Sequence, residues 1–129
     1  MIDAGKLDTD TWAFTLPITK PLSMNDRQHW TVKARVVEEL RNASMILARA
    51  AKIPKCQKVR VTLIYEPRDQ RRRDPLNLVA TLKPVQDGIV DAKVVPDDTG
   101  EYMDSPMPLI DEPTGKRYGK LWVLVERIS

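Results

Sequence analysis

Hydrophobic residues recur with helical spacing in two stretches of the chain. Between residues 30 and 51 the apolar positions are Val32, Val36, Leu40, Ala43, Leu47 and Ala51. Side chains spaced three or four residues apart lie on one face of an α-helix. The other face contains Lys33, Arg35, Glu38, Arg41 and Arg49, and it is predicted to face solvent or phosphate groups. A second apolar stripe, at Leu78, Leu82, Val85 and Ile89, predicts another buried helix face.

Asp74 and Pro75 predict the start of this second helix, which should end near Asp91. An aspartate side chain accepts hydrogen bonds from the free N–H groups of a first turn, and proline at the first position loses no partner. Pro84 lies inside the pattern and crowds the carbonyl of Ala80, so we expect the helix to bend or split there.

Alternating and continuous apolar runs predict four strands. Trp12, Phe14 and Leu16 alternate with smaller residues before Pro17, and residues 58–66 alternate in the same way. Residues 102–110 are predicted to form an edge strand because two prolines exclude a central position. Residues 121–128 are almost continuously apolar, which predicts a central strand.

This order of elements predicts an α/β two-layer domain, with a mixed four-stranded sheet and two main helices on one face. We expect residues 1–10 to be flexible and residues 11–129 to form a single domain. Residues 18–29 should form a loop with turns at Pro21 and at residues 23–26. Residues 111–119, with their proline and glycines, are predicted to be a hairpin connection.

Composition and charge exclude some classes of protein but do not identify the function. A formal charge of +3, from 21 basic and 18 acidic residues, is too small to indicate nucleic-acid binding by itself. Residues 52–73 are strongly basic and residues 97–112 are acidic, which is typical either of a DNA-facing surface beside a cation site or of ordinary solvated charge. Cys56 is the only cysteine, so an intramolecular disulfide is excluded. We expect a soluble, cytoplasmic protein with no membrane segment, because no signal-peptide or membrane pattern is present.

Two charged clusters border the second helix. Arg71, Arg72 and Arg73 directly precede Asp74, and adjacent guanidinium groups repel one another unless anions face them, which favours phosphate binding over a solvated loop. Asp97 and Asp98 follow the helix. Two adjacent carboxylates also repel, so they indicate either a cation site or a simple acidic turn.

These residues resemble the RusA family of Holliday-junction resolvases, especially its phage-encoded relatives. The resemblance rests on the run from Pro67 to Leu78, on Lys83 with Asp87 one helical turn later, and on Val94-Val95-x-Asp97-Asp98. The first strand and the Ser23-x-Asn25 loop before a long helix also fit, so most of the chain is covered. The resemblance implies a homodimeric endonuclease of DNA recombination and repair that uses Mg²⁺, with Mn²⁺ as a substitute, to cut four-way junctions symmetrically.

The resemblance also implies roles for particular residues. Asp74 and Asp98 match the catalytic metal-binding aspartates, with Asp97 or Asp87 completing the site, and Lys83 matches the catalytic lysine if three residues are inserted before it. Leu76 departs from the pattern, because it stands where bacterial members have a second aspartate. The residues expected to contact DNA are Arg68, Arg71, Arg72, Arg73 and Lys33.

Several alternatives stay open at this point. Asp74 is a helix cap, a metal ligand or both, and Lys83 either neutralises the scissile phosphate or pairs with Asp87. His29 either touches a phosphate or is an ordinary surface residue. Because of Leu76, the chain is an active nuclease or a catalytically impaired module that binds branched DNA. A third possibility is a protein-interaction domain whose basic loop binds an acidic partner.

Overall fold

The computed structural model describes residues 4–22 and 30–129. Its helices are α1, Trp30–Ala50, and α2, Val79–Asp91, which follows directly on a short 3₁₀ helix, Pro75–Leu78. Its strands are β1, Ala4–Asp8; β2, Thr11–Thr15; β3, Val59–Glu66; β4, Met103–Asp104; β5, Leu109–Ile110; and β6, Lys120–Arg127. The predicted turns at residues 23–26, and His29, lie outside the described residues.

The predicted α/β class with a mixed sheet and two helices is confirmed. The strands follow the order β1-β2-β6-β3-β4, and β5 pairs with β3. Strand β6 lies between β2 and β3 and is antiparallel to both, so the prediction of a central strand is confirmed. Strands β4 and β5 are both parallel to β3.

Three predictions about the strands were wrong. The described residues contain six strands rather than four, because Ala4–Asp8 pairs with β2 where a flexible segment was predicted. The predicted strand over residues 102–110 is divided into β4 and β5, since Pro106 and Pro108 between them have no N–H to donate to β3. The segment 111–119 is not a hairpin, because β5 and β6 pair with opposite sides of β3.

The core lies between the sheet and the two helices. The α2 stripe is buried as predicted, with Leu78, Leu82, Val85 and Ile89 at most 6% exposed. Helix α2 is continuous through Pro84, which is itself buried, so the predicted split does not occur. None of the helices in the described ranges has the length and apolar composition needed to cross a membrane.

The predicted apolar face of α1 is confirmed only in part: Leu40 is buried, as is Ala51 just after the helix, but the tightest packing follows a neighbouring line of residues. The buried positions are Leu40, Ser44 and Ala48, while Val32, Val36, Ala43 and Leu47 are half-buried. A Cβ atom on Gly88 of α2 would lie 2.5 Å from the carbonyl oxygen of Arg41 and 2.6 Å from Ser44 Cβ. The helices therefore meet so closely at this point that only small side chains fit between them.

Candidate nucleic-acid and metal site

Asp74 caps the 3₁₀ helix, as predicted. Its Oδ1 accepts a hydrogen bond from the backbone N–H of Leu76 at 3.0 Å, and its carbonyl accepts one from the N–H of Asn77 at 3.0 Å. Among the described residues, no hydrogen-bond donor is paired with Oδ2. Asp74 is exposed, so one carboxylate oxygen caps the helix while the other is open to a ligand as far as the described residues are concerned.

Asp69 organises the arginine loop, here residues 68–73. The Arg73 guanidinium donates to Asp69 Oδ1 at 2.9 Å and to the carbonyls of Asp69 and Arg71 at 2.9 and 2.8 Å. It also lies over the ring of Tyr65, 5.8 Å from the ring centroid. Arg73 therefore stabilises the loop from within, and its side chain is only 22% exposed.

The Asp69 carboxylate also lies close to two other arginines of the loop. The Nε atoms of Arg71 and Arg68 lie 3.3 and 3.5 Å from Asp69 Oδ2. The backbone N–H of Arg71, and then the side chain of Arg73, hold the pKa of Asp69 below its ordinary value. Sequence reasoning missed the role of this residue, because residues 69–73 form a loop in which sequence spacing does not indicate which side chains meet.

Arg72 differs from its neighbours. It is exposed, and within residues 4–22 and 30–129 it takes part in no ion pair. Its charge is therefore available to an external anion, whereas that of Arg73 is largely engaged. Of the predicted DNA contacts, Arg68 and Arg71 are 54% and 72% exposed and only loosely paired. Lys33 is half-buried in the first turn of α1.

A cleft of about 820 Å³ adjoins Asp74, and we call it the Asp74 cleft. Its apolar lining includes Pro21, Leu22, Tyr65, Leu78 and Ile110. Its polar lining consists of Lys20, Arg72, Arg73, Asp74 and Asn77. No pattern in the sequence indicated Lys20, because its position beside the arginine loop arises only from the tertiary packing of the segment that contains it.

Lys83 joins two of the predicted metal-binding aspartates. Its ammonium lies 3.0 Å from Asp87 Oδ1 and forms a close hydrogen bond with Asp98 Oδ2. The hydrogen bond with Asp98, followed by that with Asp87, raises the pKa of Lys83, and the bond with Lys83 lowers the pKa of Asp98. The predicted pairing of Lys83 with Asp87 is thus confirmed, while a contact between Lys83 and phosphate stays a prediction.

The predicted carboxylates occupy two places. Asp87 and Asp98 converge on Lys83, and Asp97 Oδ1 accepts a hydrogen bond from the N–H of Asp98 at 2.8 Å. Asp74 stands at the start of the 3₁₀ helix, about 15 Å before Lys83 along the helical axis by the usual rise per residue. No hydrogen bond among the described residues links Asp74 to Asp98, so their binding of a shared ion stays a prediction.

The chemistry of the donors fits a hard divalent cation. Carboxylate oxygens are the ligands that Mg²⁺ prefers, and proteins often hold it through only one or two of them together with water and phosphate. The pair of Asp87 and Asp98 meets this minimum. Within the described chain, no three side chains among His, Cys, Asp and Glu form a group that could hold a metal ion. Leu76 is 56% exposed and adds no ligand.

Comparison with known proteins adds little about activity. No family model matches this chain. A protein of Xylella fastidiosa (strain Temecula1) described as "Uncharacterized protein" is 32% identical over 91 residues, which cover 66% of this chain. The chain spans 60% of the length of that relative.

Proposed function

We propose that this protein is a magnesium-dependent, structure-selective endonuclease of the RusA type that cleaves four-way DNA junctions. The observation that best supports the proposal is that Asp87 and Asp98 both pair with Lys83 of α2. Asp74 and the arginine loop lie at the start of the 3₁₀ helix that leads directly into α2. Acidic and basic groups suited to a metal and to phosphates thus adjoin one helix. The resemblance to the RusA family points to the same residues.

The proposed division of work follows from the contacts. Asp98 and Asp87 would hold Mg²⁺, with Asp74 and Asp97 as further candidates. When bound, Mg²⁺ supplies a Lewis acid that activates water and offsets charge at the phosphate. Arg71 and Arg72 bind the DNA backbone, while Arg73 and Asp69 fix the shape of their loop. Lys83 holds the pKa of Asp98 below its ordinary value, pairs with Asp87, and can transfer its contact to the scissile phosphate.

The remaining features of the proposal follow from symmetry. A homodimer has two equivalent sites, and two cuts at related positions are needed to resolve a junction into two duplexes. Mn²⁺ should replace Mg²⁺, because both accept octahedral oxygen coordination. The cytoplasm, where the substrate occurs, is the proposed compartment.

Cleavage of a synthetic four-way junction tests this function. With Mg²⁺, the protein should introduce paired nicks, and Asp98→Asn should reduce the rate at least about a hundredfold because one of the proposed metal ligands is lost. Glu39→Gln is the matched control, since Glu39 is an exposed acid of α1 outside the site. If neither Mg²⁺ nor Mn²⁺ supports cleavage of any branched substrate, the protein is not this enzyme.

A second candidate function is a branched-DNA-binding module with impaired catalysis. It is favoured by exposed Leu76 at the position of a family aspartate. This candidate predicts salt-sensitive junction binding without cleavage, and metal-dependent cleavage in the Leu76→Asp variant. Cleavage by the natural sequence would exclude it. If calorimetry instead detects no affinity for branched DNA and a stable complex with an acidic protein is found, the basic loop belongs to a protein-interaction domain.

A further inference from the structure

One wall of the Asp74 cleft is formed by a segment that the proposed nuclease site does not use. This segment contains Lys20 and lies between two fixed points. On one side, the backbone N–H of Leu22 donates to Oγ1 of Thr81 at 2.9 Å, and Thr81 is fully buried in α2. On the other side, a Cβ atom on Gly119 would lie 2.8 Å from the carbonyl oxygen of Thr19, so the chain is packed closely there. The backbone that bears Lys20 is therefore held in place.

Two cations at this cleft have no ion-pair partner among the described residues. Lys20 and Arg72 both line the cleft and are exposed, and in the described parts of the chain neither makes an ion pair. Arg73, by contrast, is bound to Asp69 at 2.9 Å. An anion that entered the cleft would therefore meet Lys20 and Arg72 on two separate segments of the chain.

The remainder of the lining fits a nucleotide chain better than an isolated ion. Tyr65 and Leu78 are buried beneath the cleft, and Leu22 and Ile110 add further apolar surface. Sugars and bases have apolar faces that can pack on such a surface, while their phosphates need cations. The volume of about 820 Å³ lies within the range of sites that hold organic ligands.

We infer that the Asp74 cleft binds the DNA strand that leads to the scissile phosphate, with Lys20 and Arg72 contacting its backbone. This inference rests on the proposed function and adds Lys20 as a phosphate-binding residue. The strand would run between the arginine loop and the segment before α1. In this arrangement Asp74, which also lines the cleft, lies beside the bound strand.

Binding of a fluorescent four-way junction, measured by anisotropy in Ca²⁺ at several salt concentrations, tests the inference. Lys20→Met should weaken binding about fivefold to tenfold and lower the salt slope by about one, as expected for the loss of one phosphate contact. The double variant with Arg72→Met should lower the slope by about two. Lys55→Met is the matched control, because Lys55 is exposed and precedes β3 at the end opposite Tyr65, and the strand from Val59 to Tyr65 is about 20 Å long.

The outcomes separate this inference from the proposed function. If Lys20→Met binds as Lys55→Met does while the natural protein cleaves junctions, the cleft assignment is wrong and the nuclease proposal stands. If the natural protein binds junctions in a Lys20-dependent manner without cleaving them, the cleft assignment stands and the nuclease proposal falls. If it binds no junction at all, both are overturned. Thermal unfolding of each variant should match the natural protein, since the exchanged side chains are exposed.

Discussion

Lys83 and Asp98 form an ion pair that joins α2 to the turn after it, although 15 positions separate them in sequence. The same ammonium lies 3.0 Å from Asp87 Oδ1. One cation thus balances two carboxylates at the proposed metal site. A divalent ion that binds there must compete with this internal cation, so we expect Lys83 to affect both metal affinity and the proposed cleavage.

Lys83→Met should tighten metal binding and abolish efficient cleavage. Removing the ammonium returns the pKa of Asp98 towards its ordinary value and leaves two neighbouring carboxylates without a counter-charge. We expect the affinity for Mn²⁺ to rise about fivefold, which is equivalent to roughly 1 kcal/mol for a partly exposed charge pair. Isothermal titration calorimetry measures this change. With Lys55→Met as the charge-matched control, an unchanged affinity would show that Asp87 and Asp98 are not the cation site.

Two substitutions of Asp74 should separate helix capping from catalysis. Asparagine caps a helix about as well as aspartate, whereas alanine costs about 1 kcal/mol. We therefore expect Asp74→Asn to unfold at the same urea concentration as the natural protein and yet to cleave junctions at least about a hundredfold more slowly. Asp74→Ala should lose both stability and cleavage. Full activity in Asp74→Asn would limit this residue to capping.

Gly88→Ala should destabilise the protein. The added methyl group would meet the backbone of α1 at Arg41 and the side chain of Ser44, so the two helices must move apart. We expect a loss of about 2 kcal/mol in the free energy of unfolding. Gly100→Ala is the control, because its Cβ would have no atom within 4 Å. Equal urea midpoints for the two variants would contradict the close helix packing.

The ion pair between Arg41 and Asp91 should make stability depend on acidity. Arg41 Nε and Nη2 donate to the two Asp91 oxygens at 2.6 and 2.9 Å, and this bond holds the pKa of Asp91 below its ordinary value. A carboxylate with a lowered folded-state pKa stabilises the protein above its unfolded pKa of about 3.9, and the contribution is lost as the pH falls further.

Asp91→Asn removes this titrating group. The fall in urea midpoint between about pH 6 and about pH 3 should therefore be smaller in this variant than in the natural protein. Arg41→Gln should reduce the fall in the same way, because Asp91 then has a more ordinary pKa. An undiminished fall in both variants would show that other carboxylates determine the acid sensitivity.

The sequence by itself determined the features that depend on neighbouring residues. Asp74 and Pro75 fixed the start of a helix, and the spacing of Leu78, Leu82, Val85 and Ile89 fixed its buried face, because capping and helical periodicity act over one or two turns. The alternation of apolar and polar residues in β2 and β3, and the apolar run in β6, were also sufficient to predict these three strands. The pairing of Lys83 with Asp87 followed from their separation by one turn.

Only the tertiary structure decided which distant segments meet. It placed β1 on the edge of the sheet, shifted the buried line of α1 to Ser44 because Gly88 faces it, and brought Asp98 to Lys83. It also placed Lys20 at the Asp74 cleft beside the arginine loop. Such contacts depend on strand order and helix packing, which are set by the simultaneous burial of many side chains and have no local pattern in the sequence.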